Sequence, residues 1–389
     1  MIKKNFKKFI LYIIYLTVLF VSKIPGFNKF QLMEINASRV SNLVMETEIF
    51  YREKNSNKIY LIFFYKISNK YFIKLFLDKI KENKKVFVLP GYFIWKIFCD
   101  AFYLFSKKQL QYRIQNHRKK SNFFKDKKPF LPIVDQDLKK GYDIIKKFGI
   151  GRNDKWICVY NRDEAYLKNF IKNKDWTYHN FRNFPIQDLE KSINYFIKKN
   201  YFVIRVGSIS EGSLNISSNK YFDYSKSNIK SDFMDFFLLS KCEMFFGGSS
   251  GICLLTTSSR KPYFLINNSP LEGIFSIERN YPAIFKRAKD LKTNKVLSIK
   301  EMVDRNISNT FMSEDFKKKG VININNTEEE ILEFAKEAVD IIEGNKKVDQ
   351  NFKEKHKIFI EEVRKDPLIG DLSYNNPVGK KFLLDTKIN

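Results

Sequence analysis

The chain has 389 residues, of which 44% are hydrophobic and 16% aromatic, and its formal net charge at pH 7 is +27. This length and apolar content can supply two domains with a core each, which excludes a disordered chain. A basic charge of this size is typical of nucleic-acid binding when it is clustered, but here the lysines are spread along the chain with acidic residues among them. We therefore expect an anionic membrane surface or an anionic substrate as partner, and no nucleic acid.

The four cysteines have no short paired spacing of the kind that marks zinc sites or disulfide frameworks; they are Cys99, Cys158, Cys242 and Cys253. A reducing compartment is the expectation for such a chain. The sequence also lacks an acidic pair at a convincing strand end and a His/Cys cluster. We therefore expect no cofactor and no essential metal.

The amino terminus combines four lysines within its first eight residues with an uncharged apolar stretch, Phe9 to Ser22. As a helix, this stretch would span about 21 Å, less than the hydrocarbon core of about 30 Å. Residues 1–26 are predicted to be a membrane-associating helix, with a helix packed on the protein or a cleaved secretory signal as alternatives. The flanking lysines favour the cytoplasmic face of the inner membrane, with the protein either peripheral or anchored through this helix.

Residues 27–150 show alternating helical and strand-like patterns, which predicts a parallel α/β domain. The predicted elements are a helix at Met33 to Arg52, a strand at Lys58 to Tyr65, a helix at Tyr71 to Lys81, a strand at Lys84 to Pro90 and a helix at Leu138 to Phe148. The polar, basic stretch from Ser106 to Pro132 is interpreted as a surface loop or the rim of a cleft. A break at Gly149 to Gly151 marks the predicted domain boundary.

Residues 151–343 alternate more regularly, and this order predicts a doubly wound parallel sheet. The predicted strands are Lys155 to Asn161, Tyr201 to Gly207, Glu243 to Gly248 and Lys261 to Asn267. The predicted helices are Pro185 to Lys199, Ser231 to Cys242, Ser250 to Ser258 and Thr327 to Ile342. The remaining residues, 344–389, are expected to hold one more helix, Phe352 to Arg364, and a tail.

A glycine- and serine-rich turn follows the third of these strands, in the stretch "EMFFGGSSG". At the carboxyl end of a strand, such a turn exposes backbone N–H groups and allows an anion to approach closely. Gly248, Ser249, Ser250 and Gly251 are therefore candidates for binding a nucleotide diphosphate. A tight turn without a ligand is the alternative, and the stretch lacks the lysine of an ATPase P-loop.

Two arginines lie at or near the ends of neighbouring strands, and arginine suits bidentate phosphate binding. Arg162 follows one strand, and Arg205 lies within another, close to Gly207. An arginine in an apolar strand needs an anionic partner, which is either a phosphate or a structural carboxylate such as Asp223 or Asp235. For Arg162, the alternative is a solvated loop charge.

The polar and aromatic segment Trp176 to Pro185 lies between a strand and a helix. His179 is a candidate acid or base, because its unperturbed pKa is close to neutrality, and a hydrogen-bonded structural histidine is the alternative. Asn180 and Arg182 would bind an acceptor or order the loop.

The second half resembles a family of bacterial GT-B glycosyltransferases from surface-polysaccharide loci. The resemblance covers roughly residues 155–268 and depends on "CVYNRDEAY", "YHNFRN", "YFVIRVGS", "YFDYSKSNIKSDFMDFFLLSKCEMFFGGSSG" and "KPYFLIN". The arginine followed by an acid, and the later Ser-Ser, are also similar to the donor site of the alpha-1,6- and O-fucosyltransferase group. Tyr160 stands where that group usually has a histidine.

The resemblance implies two Rossmann-like domains facing a cleft, the first binding the acceptor and the second a nucleotide sugar. It also implies a metal-independent transfer to a glycan or lipid-linked acceptor. Arg162 and Arg205 would neutralise the diphosphate, and Tyr224 would contact the base or ribose. Further hydrogen bonds to the diphosphate would come from Ser249, Ser250 and Gly251.

An inverting transfer needs a base, for which Asp163 and His179 are the candidates, with the N-terminal half as another source. Two other functions remain open at this point. One is a polysaccharide pyruvyl transferase, which would use phosphoenolpyruvate, and the other is a non-catalytic basic protein bound to the membrane surface.

Overall fold

In the computed structural model, the described residues are 2–108, 128–165, 177–275, 280–345, 349–370 and 375–389. The chain divides into two compact units, Met1–His117 and Arg118–Asn389. This division lies ahead of the domain boundary placed at residue 150, because the helix α5 (Asp135–Lys146) belongs to the second unit. There the ring of Tyr142 packs edge-on against Phe237, with 5.3 Å between centroids.

The first unit contains a parallel three-stranded sheet in the order β1-β2-β3. Its strands are β1 (Phe30–Ile35), β2 (Ile59–Phe64) and β3 (Val86–Val88), and its helices are α1 (Ile2–Ser22), α2 (Val40–Glu53), α3 (Lys70–Lys81) and α4 (Tyr92–Ser106). The strand predicted over 58–65 and the helix predicted over 71–81 are confirmed. Asn69 caps α3 by accepting a hydrogen bond from the backbone N–H of Phe72.

The helix predicted to begin at Met33 is wrong in its first part. Met33 and Ile35 are fully buried residues of β1, and the helix begins only at Val40. Between them, the Asn36 side chain accepts hydrogen bonds from the backbone N–H and the hydroxyl of Ser38. Such a local turn competes with helical hydrogen bonding and separates the two elements.

The predicted apolar amino-terminal helix is present as α1, and by length and composition its part Asn5–Ser22 can cross a membrane. The helix α4 was not predicted from the sequence. It packs on α1 through aromatic rings, with Tyr12 against Phe105 at 5.2 Å and Tyr15 against Phe102 at 5.9 Å. The loop predicted between residues 106 and 132 lies mostly outside the described residues.

The second unit is built on a parallel six-stranded sheet in the order β6-β5-β4-β7-β8-β9. The strands are β4 (Trp156–Tyr160), β5 (Phe202–Arg205), β6 (Tyr221–Asp223), β7 (Met244–Gly248), β8 (Tyr263–Asn268) and β9 (Ala283–Phe285). The predicted parallel sheet is confirmed, and β6 and β9 are additions to it. A separate antiparallel pair joins β10 (Arg287–Asp290) to β11 (Val321–Ile324).

The helices of this unit cover the sheet. After α5 they are α6 (Glu190–Lys198), α7 (Asp232–Lys241), α8 (Cys253–Ser258), α9 (Ile299–Asp304), α10 (Ser313–Lys318), α11 (Glu328–Ile342), α12 (Gln350–Val363), α13 (Pro367–Gly370) and α14 (Lys380–Leu384). Ser231 caps α7, and Thr327 forms a capping box with Glu330 on α11.

Every residue of β7 is buried, as is every residue of β8, which is why both read as continuous apolar runs. The ring of Phe246 on β7 packs against Phe196 of α6 and Phe334 of α11. At the far edge, Phe359 of α12 stacks on Phe285 of β9 at 5.9 Å. The hydrophobic core therefore lies between the sheet and these helices.

Candidate functional site

The candidate site lies at the carboxyl edge of the six-stranded sheet. The strand order reverses between β4 and β7, so the segments after these two strands leave the edge in different directions. In open α/β sheets this topological switch point forms a crevice that binds ligands. Residues 161–164 follow β4 and residues 249–252 follow β7, so two of the predicted groups are brought to the same crevice.

The two glycines that end β7 are required for packing. A Cβ on Gly247 would lie 2.1 Å from the backbone oxygen of Tyr160, and a Cβ on Gly248 would lie 2.6 Å from the Phe184 ring. The predicted role of Gly248 in binding an anion through its backbone stays a prediction, while its lack of a side chain makes room for the Phe184 ring. The residues of the turn that follow the strand are Ser249, Ser250 and Gly251.

A segment of 3₁₀ helix, Thr177–Arg182, brings Arg182 to the same turn. The Arg182 guanidinium donates a hydrogen bond to the backbone oxygen of Ser249, with 2.9 Å between Nη2 and O. The segment is also attached to the end of β4, because the Phe184 N–H donates to the backbone oxygen of Arg162 at 3.1 Å. Arg162 and Arg182 are thereby held next to one another at the crevice.

Lys286 is a third cation of the site, and it was not predicted from the sequence. It follows β9 directly, its side chain is only 4% exposed, and its ammonium group donates to the backbone oxygen of Asn183 at 2.6 Å. Burial lowers the pKa of Lys286 to about 8, an effect that the charges of Arg162 and Arg182 reinforce and that of Asp188 opposes. Its only signal in the sequence is a lysine directly after the short apolar run "AIF".

Tyr160 connects this cluster to the Ser-Ser turn. Burial and the charge of Asp163 raise the pKa of the Tyr160 phenol, while Arg162, Arg182 and the neighbouring Ser250 hydroxyl lower it. Gly207 lies against the same ring, since a Cβ there would be 3.6 Å from Tyr160, and its φ of +138° favours glycine. Glycine at position 207 therefore allows the backbone to turn beside the Tyr160 ring.

Arg205 has a different environment from the one expected of a phosphate-binding residue. Its side chain is fully buried and donates to Asp223 at 3.1 Å and to the Asn161 side chain at 2.9 Å. It also donates to the backbone oxygens of Glu211 and Gly212. The predicted anionic partner is confirmed as Asp223, and Arg205 holds the loop 208–213 against β4 and β6 through these bonds.

Two further candidates have partners within the protein. Asp163 accepts hydrogen bonds from the backbone N–H groups of Ala165 at 3.0 Å and Glu211 at 2.8 Å. Tyr224 is fully buried and donates to Asp235 at 2.6 Å, and burial raises the pKa of that carboxyl to about 6. Tyr224 is therefore a core residue, contrary to the expected base or ribose contact.

His179 and Asn180 lie on the 3₁₀ segment beside Arg182. The His179 ring is partly buried and packs against Tyr178, with 4.1 Å between ring centroids. Asn180 donates to Glu164 and accepts from the Asn183 side chain at 3.1 Å. Asn180 thus orders the loop that presents Arg182, which is one of its two predicted roles.

No group of three or more His, Cys, Asp and Glu residues able to hold a metal ion is found within the described part of the chain. The site that can be built there consists of three cations, the Ser-Ser turn and a tyrosine hydroxyl. Their chemistry suits an anion with several oxygen atoms.

No protein-family model and no curated protein matches the chain. Among solved structures, it is similar to a glycosyl transferase of family 9 from Veillonella parvula DSM 2008, at 9% identity and a TM-score of 0.47, over 82% of this chain and 98% of that one. It is similar to the ADP-heptose LPS heptosyltransferase II of E. coli at 11% identity and a TM-score of 0.30, over 60% and 84% of the two chains.

A third similar structure is the iron-containing dodecameric glycosyltransferase TibC from enterotoxigenic E. coli H10407. The identity is 12% and the TM-score 0.37, over 66% of this chain and 62% of that one. These similarities are remote, and the function proposed below depends on the residues of the site itself. What the fold and the site define directly is a mixed α/β protein with a cationic crevice at the switch point of a parallel sheet.

Proposed function

We propose that the chain is a metal-independent glycosyltransferase of the GT-B type that uses a nucleotide-diphosphate sugar as donor. Its acceptor would be a glycan or a lipid-linked sugar in surface polysaccharide or lipopolysaccharide synthesis, at the cytoplasmic face of the inner membrane. The observation that carries the proposal is the convergence of Arg162, Arg182 and Lys286 at the switch-point crevice. The resemblance of residues 155–268 to such transferases supports the same choice.

The cations suit the leaving group of this reaction. When the bond between the sugar and the diphosphate breaks, negative charge grows on the diphosphate oxygens. Fixed positive groups in a partly buried site stabilise that charge more in the transition state than in the ground state. Lys286 is held by Asn183 before any ligand binds, so the protein needs little rearrangement to present it.

The acceptor hydroxyl must lose a proton during an inverting transfer. Because Asp163 is held by two backbone N–H groups, we assign it a positioning role for the loop 208–213. His179, on the same segment as Arg182, remains our candidate base from this unit. Ser249 and Ser250 would add hydrogen bonds to the diphosphate.

The test is a thermal-shift panel on the full-length chain in detergent, with UDP, GDP, CMP, ADP and their sugar conjugates. A ligand at about 100 times its dissociation constant stabilises the native state by about 2.7 kcal/mol. We expect one nucleotide family to stabilise the wild type, and to do so much less in Arg162→Ala and Lys286→Met. Arg152→Ala is the matched control, because Arg152 is exposed and precedes β4, at the opposite edge of the sheet.

Phosphoenolpyruvate belongs in the same panel, because a carboxylate and a phosphate would also suit three cations. Stabilisation by phosphoenolpyruvate alone would replace the proposal with a pyruvyl transferase. If no ligand shifts the melting temperature, the non-catalytic membrane-bound protein becomes the better description.

A further inference from the structure

A second apolar helix lies beside α1 in the first unit, and its outer side is open to solvent. Most of the exposed large apolar side chains in the described residues belong to this unit, although it is the shorter one. On α4 they are Phe93 at 71%, Ile94 at 58%, Ile97 at 46%, Tyr103 at 54% and Leu104 at 40% exposure. Apolar patches of this extent mark surfaces that are covered by a partner.

Four of these exposed apolar residues of α4 form one stripe, and the fifth, Tyr103, is separated from it by Lys96 and Asp100. Phe93, Ile97 and Leu104 are spaced by four and seven positions, which places them on one face of the helix. The opposite face is used for folding, since Cys99 on that face is buried. The side chains of the stripe therefore do not contribute to the hydrophobic core of the unit.

Charge is confined to one border of this stripe and to the helix end. Lys96 and Asp100 form an ion pair one helical turn apart, next to the apolar residues. Lys107 and Lys108 are exposed at the carboxyl-terminal end. An apolar face with a charged border and a basic end is the pattern of a helix that lies in the plane of a membrane interface.

The helix α1 extends the same surface. Its ring contacts with α4 hold the two helices side by side, yet only 6% of the segment Asn5–Ser22 is buried. Exposed lysines occur before its apolar part at Lys7 and Lys8, and after it at Lys23. These charges match an anionic lipid surface, which attracts basic residues beside an inserted helix.

We propose that α1 and α4 together form one membrane-contacting surface, in which α4 lies in the interface of an anionic bilayer with Phe93, Ile94, Ile97 and Leu104 among the acyl chains. The Lys96–Asp100 border then faces the lipid headgroups. This attachment goes beyond a single amino-terminal anchor and stands whether or not the chain transfers a sugar. It would hold the first unit flat against the membrane, so that a lipid-linked molecule reaches the protein from the bilayer.

Site-directed fluorescence tests the proposal, because all four native cysteines are buried and an added cysteine can be labelled selectively. An environment-sensitive fluorophore is attached to the full-length variants Ile94→Cys and Leu291→Cys, each reconstituted into vesicles of equal parts phosphatidylglycerol and phosphatidylcholine. Ile94 and Leu291 are 58% and 56% exposed, so exposure in the protein alone does not distinguish them. Asp100→Cys supplies a third position, on the charged border of α4 itself.

We expect the label at position 94 to shift its emission to the blue, to be quenched by nitroxide-bearing lipid and to lose most of its quenching by aqueous iodide. The labels at positions 100 and 291 should stay accessible to iodide. Equal iodide quenching at positions 94 and 291 would overturn the proposal. Shielding at position 94 that disappears when the protein is diluted in excess lipid would also overturn it, since a second copy of the chain would then be the occupant.

Discussion

Arg205 and Arg182 have different environments in the second unit. Arg205 ends β5 and is fully buried, and four hydrogen bonds join its guanidinium to Asp223, Asn161 and the loop 208–213. Arg182 lies on a 3₁₀ segment, is partly exposed and reaches the backbone of Ser249. The first arginine is surrounded by acceptors of its own protein, and the second faces a crevice that also contains Arg162 and Lys286.

The difference shows that the surroundings of an arginine near the carboxyl edge of the sheet determine its role. A buried guanidinium must be saturated by acceptors, so its neighbours in the structure decide whether it serves folding or binding. Around Arg205 the acceptors are already present. At the crevice, the charges of Arg162 and Arg182 both lower the pKa of the buried Lys286. A polyanionic ligand would stabilise this arrangement of three cations.

The largest expected effect is that of Arg205→Ala on folding. Removing the guanidinium leaves Asp223 without its buried partner and releases the loop 208–213. Breaking a buried pair in this way costs about 3–5 kcal/mol. Urea unfolding of the full-length chain, followed by circular dichroism, measures the loss.

Arg287→Ala is the control, because its ion pair with Glu330 is partly exposed and should contribute about 1 kcal/mol or less. Arg205→Lys should rescue little stability, since one ammonium group cannot replace the fork that reaches Asp223 and Asn161 together. If Arg205→Ala unfolds like the wild type but no longer binds nucleotide, Arg205 is a ligand residue after all and the contrast between the two environments disappears.

The two glycines at the end of β7 provide the next test. Gly247→Ala would place a methyl group 2.1 Å from the backbone oxygen of Tyr160, which cannot move without disturbing the pairing of β4 with β7. Gly248→Ala meets only the edge of the Phe184 ring, at 2.6 Å. We expect both variants to lose about 1–3 kcal/mol of stability, Gly247→Ala more than Gly248→Ala.

Ligand binding separates these variants further. Because Phe184 follows Asn183, whose backbone oxygen holds Lys286, a displaced ring in Gly248→Ala should also weaken nucleotide affinity, measured by titration calorimetry. Gly141→Ala is a useful comparison, since a methyl group there would meet only the Phe237 ring on α7. Unchanged affinity in Gly248→Ala would show that the position of Phe184 does not matter to the site.

The central strands and several helix caps could be predicted from the sequence because each depends on local pattern. Strands buried on both faces, such as β7 and β8, read as short apolar runs. Ser231 and Thr327 mark the starts of their helices, because each side chain accepts a hydrogen bond from a backbone N–H of the first turn. The Ser-Ser turn could be chosen as a candidate because it follows β7, and Arg162 because it follows β4.

The remainder depends on contacts between distant parts of the chain. Lys286 follows a strand of three residues, Ala283–Phe285, which is too short to show a period of its own. A carboxylate partner such as Asp223 could be predicted for Arg205, but the sequence could not show that Asn161 and the backbone oxygens of the loop 208–213 also accept from its guanidinium, or that Tyr224 donates to Asp235. The apolar face of α4 was missed because a helix that is apolar on most sides has no clear period.

The substitution Lys286→Met is expected to change the stability least, and it is the one change expected to stabilise the protein. Burying the charged form of Lys286 costs free energy. Its pKa falls from 10.5 to about 8, which corresponds to about 3 kcal/mol. Lys286→Met removes that penalty and also the hydrogen bond to Asn183. We therefore expect the unliganded protein to gain about 1–2 kcal/mol near neutral pH while nucleotide affinity falls at least about tenfold.

The pH dependence of the free energy of unfolding tests whether the buried charge of Lys286 causes this effect. Below about pH 8 both the folded and the unfolded chain hold the proton on Lys286, and the penalty of burying the charge is complete. Between that value and 10.5 the unfolded chain still binds the proton that the folded chain has released, so the contribution of Lys286 to stability rises with pH. This rise should be missing in Lys286→Met and present in Lys295→Met, whose lysine is exposed.

A bound diphosphate must act in the opposite direction, because its charge favours the protonated lysine and raises the pKa of Lys286. Nucleotide binding should therefore take up a proton and weaken as the pH rises above about 8. Calorimetric titrations in buffers of different ionisation enthalpy measure this uptake in the wild type and its loss in Lys286→Met. If the wild type binds a nucleotide with no proton uptake in this range, Lys286 does not sense the ligand, and the cationic crevice resembles the self-contained environment of Arg205 more than a donor site.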